Sequence, residues 1–219
     1  MSSSISIYIR TKDWTQGNWC GCSLLIREGC KASVEWGDGK TNTVVGSSEW
    51  VYVTHEYPKP ILPYIIRIST EEDDTLLGFQ DAMHEVDTLD FDCSSCPSLQ
   101  YLEYSYLEKL NVSHNPHLKE LICYDGRFAT LDLSQNTELE VLDCHYFTKL
   151  VSLNLTSCNR LERLNCWLCS SLSRIALSNQ SALKEVNFGD TCLHEKSAKH
   201  LLRVIEQNGG INIANPLDL

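Results

Sequence analysis

The sequence predicts a mainly β chain: a small N-terminal β-sandwich, then a repeat solenoid of about five coils of 21–22 residues, closed by a C-terminal helix. Three observations predict it. From Leu131 to Val186 an aliphatic residue stands at every eleventh position: Leu131, Leu142, Leu153, Leu164, Ile175 and Val186. Another apolar residue precedes each by three, and a third follows by two, so a unit this short must stack on its copies to bury its apolar side. Residues 1–80 lack this period and alternate in strand-length runs divided by turn signals. After about residue 193 the apolar spacing turns helical.

In the first domain, placed at 1–80, the expected strands are Ile5–Ile9, Cys22–Ile26, Ala32–Trp36, Val51–Thr54 and Tyr64–Ser69. Gly37-Asp38-Gly39 and Pro58-Lys59-Pro60 are the turn signals between them. Asp-Gly tolerates the positive φ of a tight hairpin, and Trp36 would anchor the strand before it. Trp36-Gly37-Asp38-Gly39, His55-x-Tyr57 and Tyr64-x-Ile66-x-Ile68 together resemble the polycystic-kidney-disease-type (PKD-like) β-sandwich of bacterial surface proteins. The likeness spans Val34 to Ser69, with Pro63 where that family has a glycine.

The second domain, 81–219, alternates two half-units. One reads Leu118-x-x-Leu121-x-Cys123, Leu139-x-x-Leu142-x-Cys144, Leu161-x-x-Leu164-x-Cys166 and Leu183-x-x-Val186-x-Phe188. The other carries polar tails, as in Leu110-Asn111-Val112-Ser113-His114-Asn115 and Leu131-Asp132-Leu133-Ser134-Gln135-Asn136. Val86–Phe91 and Leu99–Tyr104 read as irregular forerunners of the repeat. Both half-units, from Val86 to Phe188, resemble bacterial leucine-rich repeats of the cysteine-containing internalin type. That family places Asn three residues after the cysteine; here Gly126, Phe147 and Cys169 stand there, so these turns must be satisfied differently. Ser197 is the expected N-cap of a closing helix to about Gln207, with Leu201, Leu202, Val204 and Ile205 on its apolar face and Ile211–Ile213 as a last strand.

Net charge is −11 and the pI about 5.0, which argues against a binder of phosphate backbones. Membrane insertion is not expected, because no apolar run approaches spanning length. The start, Met1-Ser2-Ser3-Ser4, has no basic region, so the chain reads as cytoplasmic, or as exported after loss of a leader. The odd total of eleven cysteines leaves at least one unpaired within the chain, and the repeat accounts for Cys123, Cys144 and Cys166 as buried hydrophobes. Cys93-x-x-Cys96 and Cys166-x-x-Cys169 have half-zinc-site spacing, yet repeat packing explains them without a metal. Cys144 and His145 are adjacent on a strand and point to opposite faces, which defeats a nucleophile pair. Asp38 is read as a turn residue before a calcium ligand, and the sequons at Asn111, Asn154 and Asn179 as products of the repeat. No cofactor or catalytic residue is assigned.

Alternation points the residues flanking the second apolar position outward. In the cysteine series these are Glu120, Ile122, Tyr124; Val141, Asp143, His145; Arg163, Asn165, Trp167; and Glu185, Asn187, Gly189, with Tyr101, Glu103 and Ser105 before them. The other series presents Thr130, Asp132, Ser134; Ser152, Asn154, Thr156; and Arg174, Ala176, Ser178. The first face is varied and aromatic, the second small and polar, and exposed aromatic stripes mark interfaces. The expected function is therefore non-enzymatic protein binding by Tyr101, Glu120, Tyr124, Asp143, His145, Arg163, Asn165 and Trp167. A carbohydrate ligand stays open, since Tyr and Trp also stack on sugar rings. So do a cysteine-dependent enzyme or metal site, and a structural role in which the rings only cover backbone. Oligomeric state is open too.

Overall fold

A computed structural model describes residues 3–11, 19–57, 63–82, 86–178 and 181–212. The Pro58-Lys59-Pro60 turn, the sequon at Asn179 and Ile213 lie outside them. The chain is mainly β and forms two compact units, Met1–Glu103 and Tyr104–Leu219.

The first unit is a β-sandwich with nine strands among the described residues: β1 (Ser4–Thr11), β2 (Trp19–Ile26), β3 (Lys31–Glu35), β4 (Thr41–Val45), β5 (Trp50–Glu56), β6 (Pro63–Thr70), β7 (Leu76–Asp81), β8 (Val86–Ser95) and β9 (Tyr101–Glu103). One sheet has the order β4-β3-β6-β1-β8; in the other β7 lies between β2 and β9, and β5 flanks β2. Alternation decides the inner faces: Ile5, Ile7 and Ile9 of β1 and Ile66 and Ile68 of β6 are fully buried, as are Cys22 and Leu24 of β2. Phe79 on β7 meets Phe91 on β8 at a ring distance of 5.6 Å, joining the two sheets. Gly37 and Gly39 have positive φ between β3 and β4, as the hairpin reading required. The Val86–Phe91 stretch departs from expectation. Although it spells the repeat, it runs antiparallel to β1, from Ile7 opposite Phe91 to Thr11 opposite Val86. Its alternating side chains suit a sandwich strand as well as a coil, and β1 offers it a ladder.

The second unit is a leucine-rich solenoid. Its cysteine-series strands β10 (Glu120–Ile122), β11 (Val141–Asp143), β13 (Arg163–Asn165) and β15 (Glu185–Asn187) form a parallel sheet that β16 (Ile211–Asn212) closes. The other series gives β12 (Ser152–Leu155) and β14 (Arg174–Leu177), also parallel. Leu121, Leu142, Leu164 and Val186 stack in register and are buried. Between strands the chain turns by a repeated pair of bonds: the N–H of Asn136 donates to Leu133 O at 3.1 Å, and the N–H of Leu139 to Asn136 O at 3.2 Å. The same pair of bonds recurs at Cys93-x-x-Cys96-x-x-Leu99 and Cys166-x-x-Cys169-x-x-Leu172, so both Cys-x-x-Cys spacings are repeat turns.

Buried asparagines sit in the polar series. Asn136 Nδ2 donates to Val112 O at 3.0 Å and Asn115 O at 2.9 Å, tying successive coils. In the cysteine series the slot is filled otherwise. Phe147 is fully buried and its ring lies where a Cβ on Gly126 would be, 2.2 Å away, so that glycine is required. Cys169 Sγ donates to Cys144 O at 3.1 Å. The closing helix α1 spans Glu195–Gln207 and buries Leu201, Val204 and Ile205. Its N-cap is His194 rather than Ser197, whose N–H donates to His194 O from inside the first turn. Leu202 faces solvent. Asn208 Nδ2, donating to Ser181 O and Leu183 O, repeats the asparagine device at the cap.

Candidate functional site

The outer face of β10, β11, β13 and β15 is a grid of three rows. The first is Glu120, Val141, Arg163 and Glu185; the second Ile122, Asp143, Asn165 and Asn187. The third, just past the strands, is Tyr124, His145, Trp167 and Gly189, where bonds such as Cys144 N–H to Asn165 O continue the ladder.

Each row does different work. The polar residues of the second row bend the chain: Asp143 Oδ1 accepts the N–H of His145 at 3.1 Å, Asn165 Oδ1 that of Trp167 at 3.2 Å, and Asn187 Oδ1 that of Gly189 at 3.3 Å. Asn111, Asp132 and Asn154 make the same side-chain turn in the other series. Asp and Asn at these sites are thus explained by local backbone chemistry, including the two sequon asparagines. Asp143 does more. Its Oδ1 lies 2.5 Å from His145 Nδ1, and its Oδ2 accepts Asn165 Nδ2 at 3.0 Å, linking β11 to β13.

The third row is a ring ladder. Tyr124 stacks on His145 (4.9 Å between centroids, 15° between planes). His145 meets Tyr146 edge-on at 5.3 Å, Tyr146 meets Trp167 at 5.3 Å, and Tyr106 joins Tyr124 at 6.2 Å. Trp167 Nε1 donates to Asp190 Oδ2 at 3.0 Å, pinning the edge of the indole. Strand alternation assigns Tyr106 and Tyr146 to the inner face, whereas the left-handed turn leaves both exposed. One left-handed residue follows in each coil: Tyr106 (φ 61°), Asp125 (56°), Tyr146 (62°), Leu168 (57°) and Asp190 (55°). The 19- to 22-residue spacing of this slot, occupied by Asp in two coils, was the available signal.

The first row borders a shallow depression of about 350 Å³ that Ile122, Asp143 and Asn165 also line. Glu120, Arg163 and Glu185 lie on its rim, and among the described residues their side chains have no hydrogen-bond or ion-pair partner. Of the eight residues singled out from sequence, seven therefore share this face. Tyr101 lies in the first unit on β9, edge-on to Trp50 at 6.4 Å.

Most of the buried thiols are held protonated; Cys169 is the exception, lowered by its hydrogen bond with Cys144. Burial pushes Cys22, Cys93 and Cys96 up to about 12 and Cys158 up to about 11, and drives Cys123 and Cys166 higher or well above the usual thiol range. A hydrogen bond with Cys169, then burial, does the same to Cys144. Cys144 is fully buried while His145 is turned outward, so the two do not meet. Asp38 accepts the Lys40 N–H at 3.1 Å and holds His55 Nε2 at 2.8 Å, a turn role. Among the described residues no group of three or more His, Cys, Asp or Glu is placed to hold a metal ion, and no helix is long and apolar enough to cross a membrane.

No family model and no curated protein matches the chain. Among solved structures it is similar to the functional domain of InlJ from Listeria monocytogenes, which includes a cysteine ladder. Identity is 19%, the TM-score 0.29, and the match covers 47% of this chain and 32% of the other. The match thus spans about a third of that domain.

Proposed function

We propose that the chain is a non-enzymatic recognition module of the internalin-like kind, binding a protein partner on the outer face of β10, β11, β13 and β15. One observation carries this reading. Tyr106 and Tyr146 occupy left-handed backbone slots while staying 50% and 40% exposed. A bulky side chain in that conformation costs about 1–2 kcal/mol, where Asp or Gly costs less. The equivalent slots at Asp125 and Asp190 carry the cheaper residue. The fold manages without such rings at Asp125 and Asp190, and strained outliers of this kind concentrate where a surface is used. Tyr and Trp anchors on a preformed sheet also bind with little ordering cost.

The test is capture from native lysate and surface extracts by wild type and by a Tyr124→Ala, His145→Ala, Trp167→Ala triple variant of matched thermal stability. A partner kept by wild type and lost by the variant supports the face; equal capture moves the site elsewhere. The competing cysteine-enzyme reading is tested by native-state alkylation. Cys192 is exposed and Cys30 half-buried, and the other nine thiols are buried. Modification confined to those two is expected, whereas fast labelling of Cys144 or Cys166 would favour the enzyme.

A further inference from the structure

Resting on that reading, we infer that the partner segment is cationic: an Arg- or Lys-bearing loop or strand whose charged heads lie against the exposed parts of the rings from Tyr124 to Trp167. Two independent features of the grid point there. The ladder leaves Tyr146 and Trp167 40% and 36% exposed, and an aromatic ring attracts a guanidinium or ammonium through its quadrupole. Around it the fixed charge is negative. Asp143 lies beneath His145, Asp190 holds the indole edge of Trp167, and Asp125 occupies the left-handed slot beside Tyr124. Glu120 and Glu185 stand at the two ends of the first row, without a hydrogen-bond or ion-pair partner among the described residues.

Against five carboxylates the grid sets one guanidinium, Arg163, directly across the ladder from Glu185. It makes no ion pair with that neighbour among the described residues, so neither charge is neutralised locally. Glu120 and Glu185 are open to incoming cations, and Arg163 sets where along the row a cation is refused. A net charge of −11 adds a long-range pull in the same direction. An acidic or purely apolar partner would leave Glu120 and Glu185 desolvated and unpaired at the contact.

The experiment is fluorescence anisotropy with labelled Gly/Ser peptides carrying several arginines, glutamines or glutamates at low salt, on the full chain. The arginine peptide should bind about tenfold or more tighter than the glutamine peptide, and the preference should shrink as salt rises. Glu120→Gln with Glu185→Gln should weaken it. Arg163→Gln should strengthen it about two- to fivefold, a gain that no unfolding could mimic. Tyr124→Ala with Trp167→Ala should abolish the preference, whereas Glu138→Gln with Glu162→Gln, off the grid, should leave it. Equal binding of the arginine and glutamine peptides, preference for the glutamate peptide, or indifference to the ring and Arg163 variants would overturn the inference. If the triple ring variant still loses a captured protein while the arginine peptide shows no preference, the binding face stands and its cationic specificity falls.

Discussion

The protein builds two aromatic clusters from the same parts and uses them oppositely. In the sandwich, Trp36 stacks on His55 at 5.1 Å, His55 meets Tyr57 edge-on at 4.6 Å, and Tyr57 stacks on Tyr64 at 4.3 Å. Three of its polar tips are engaged: Trp36 Nε1 with Asn42 Oδ1 (2.6 Å), Tyr57 Oη with Trp36 O (2.8 Å), and His55 with Asp38. On the solenoid, Tyr124, His145, Tyr146 and Trp167 repeat the stack-and-edge geometry, again with an aspartate on the histidine. The side chains of His55 and Asp38 are 7% and 8% exposed, while those of His145 and Asp143 are 23% and 25%. Ring contacts alone do not tell a core from an interface. Burial does, because only the inner cluster removes its rings from water on all sides.

The largest expected effect treats both regions alike and so bounds the comparison. Cys22, Cys93 and Cys96 in the sandwich and Cys158 in the solenoid have folded values of about 11 to 12 against 9.0 for a free thiol. A raised value means that the folded state keeps its proton where the unfolded state has lost it. This stabilisation is complete below about pH 9 and is lost as pH rises toward 11–12. Each such thiol should steepen the loss by about 1.4 kcal/mol per pH unit above that point. Urea midpoints should therefore be level to pH 8.5 and fall steeply by pH 10.5; a flat profile would mean that the thiols are hydrated.

Next in size is the contrast itself. Trp36→Ala empties a fully buried site and should destabilise the protein by about 3–5 kcal/mol. Trp167→Ala, at a ring 36% exposed, should cost about 1 kcal/mol or less and act on binding. Paired denaturant titrations decide it. Similar losses at both positions would make the outer ladder a second core and remove the case for a binding face.

A third experiment compares the two ways of joining coils. Asn136→Ala leaves Val112 O and Asn115 O buried without their donor and should cost about 2–3 kcal/mol, while Asp143→Ala, on the half-exposed face, should cost about 1 kcal/mol. Asn136→Cys should recover part of the loss, since Cys158 fills the same slot one coil on and donates to Leu133 O at 3.8 Å. Asn136 could have been singled out from sequence, as the polar tail Leu-Asp-Leu-Ser-x-Asn recurs. The family resemblance places the asparagine ladder in the cysteine series, where here Phe147 fills the space above Gly126.

What one sequence reveals follows from the range of the interaction that decides each feature. Stacking of Leu142 on Leu164 and the outward turn of His145 depend on periods of 22 and 2, and both can be read along the chain. The strand fate of Val86–Ser95 depends on β1, some eighty residues earlier, and its letters suit either role. The left-handed turns at Tyr106 and Tyr146 are local, but Tyr is a poor resident of that conformation, so its presence hides the turn that Asp125 and Asp190 betray.

That mismatch yields the smallest effect and the sharpest one. Tyr146→Asn puts a residue suited to the left-handed region into a slot now held at φ 62°. Relief of about 1 kcal/mol is set against the edge contacts with His145 and Trp167, each worth about 0.5–1 kcal/mol on an exposed face. Stability should therefore stay within about 0.5 kcal/mol of wild type, while the arginine-peptide preference drops. An inner-cluster residue cannot behave this way: Tyr57→Asn would lose ring packing and the bond to Trp36 O together. Should Tyr146→Asn instead lose 2 kcal/mol or more in a urea titration, the ring holds the coils together, and the strain at Tyr146 no longer speaks for a partner.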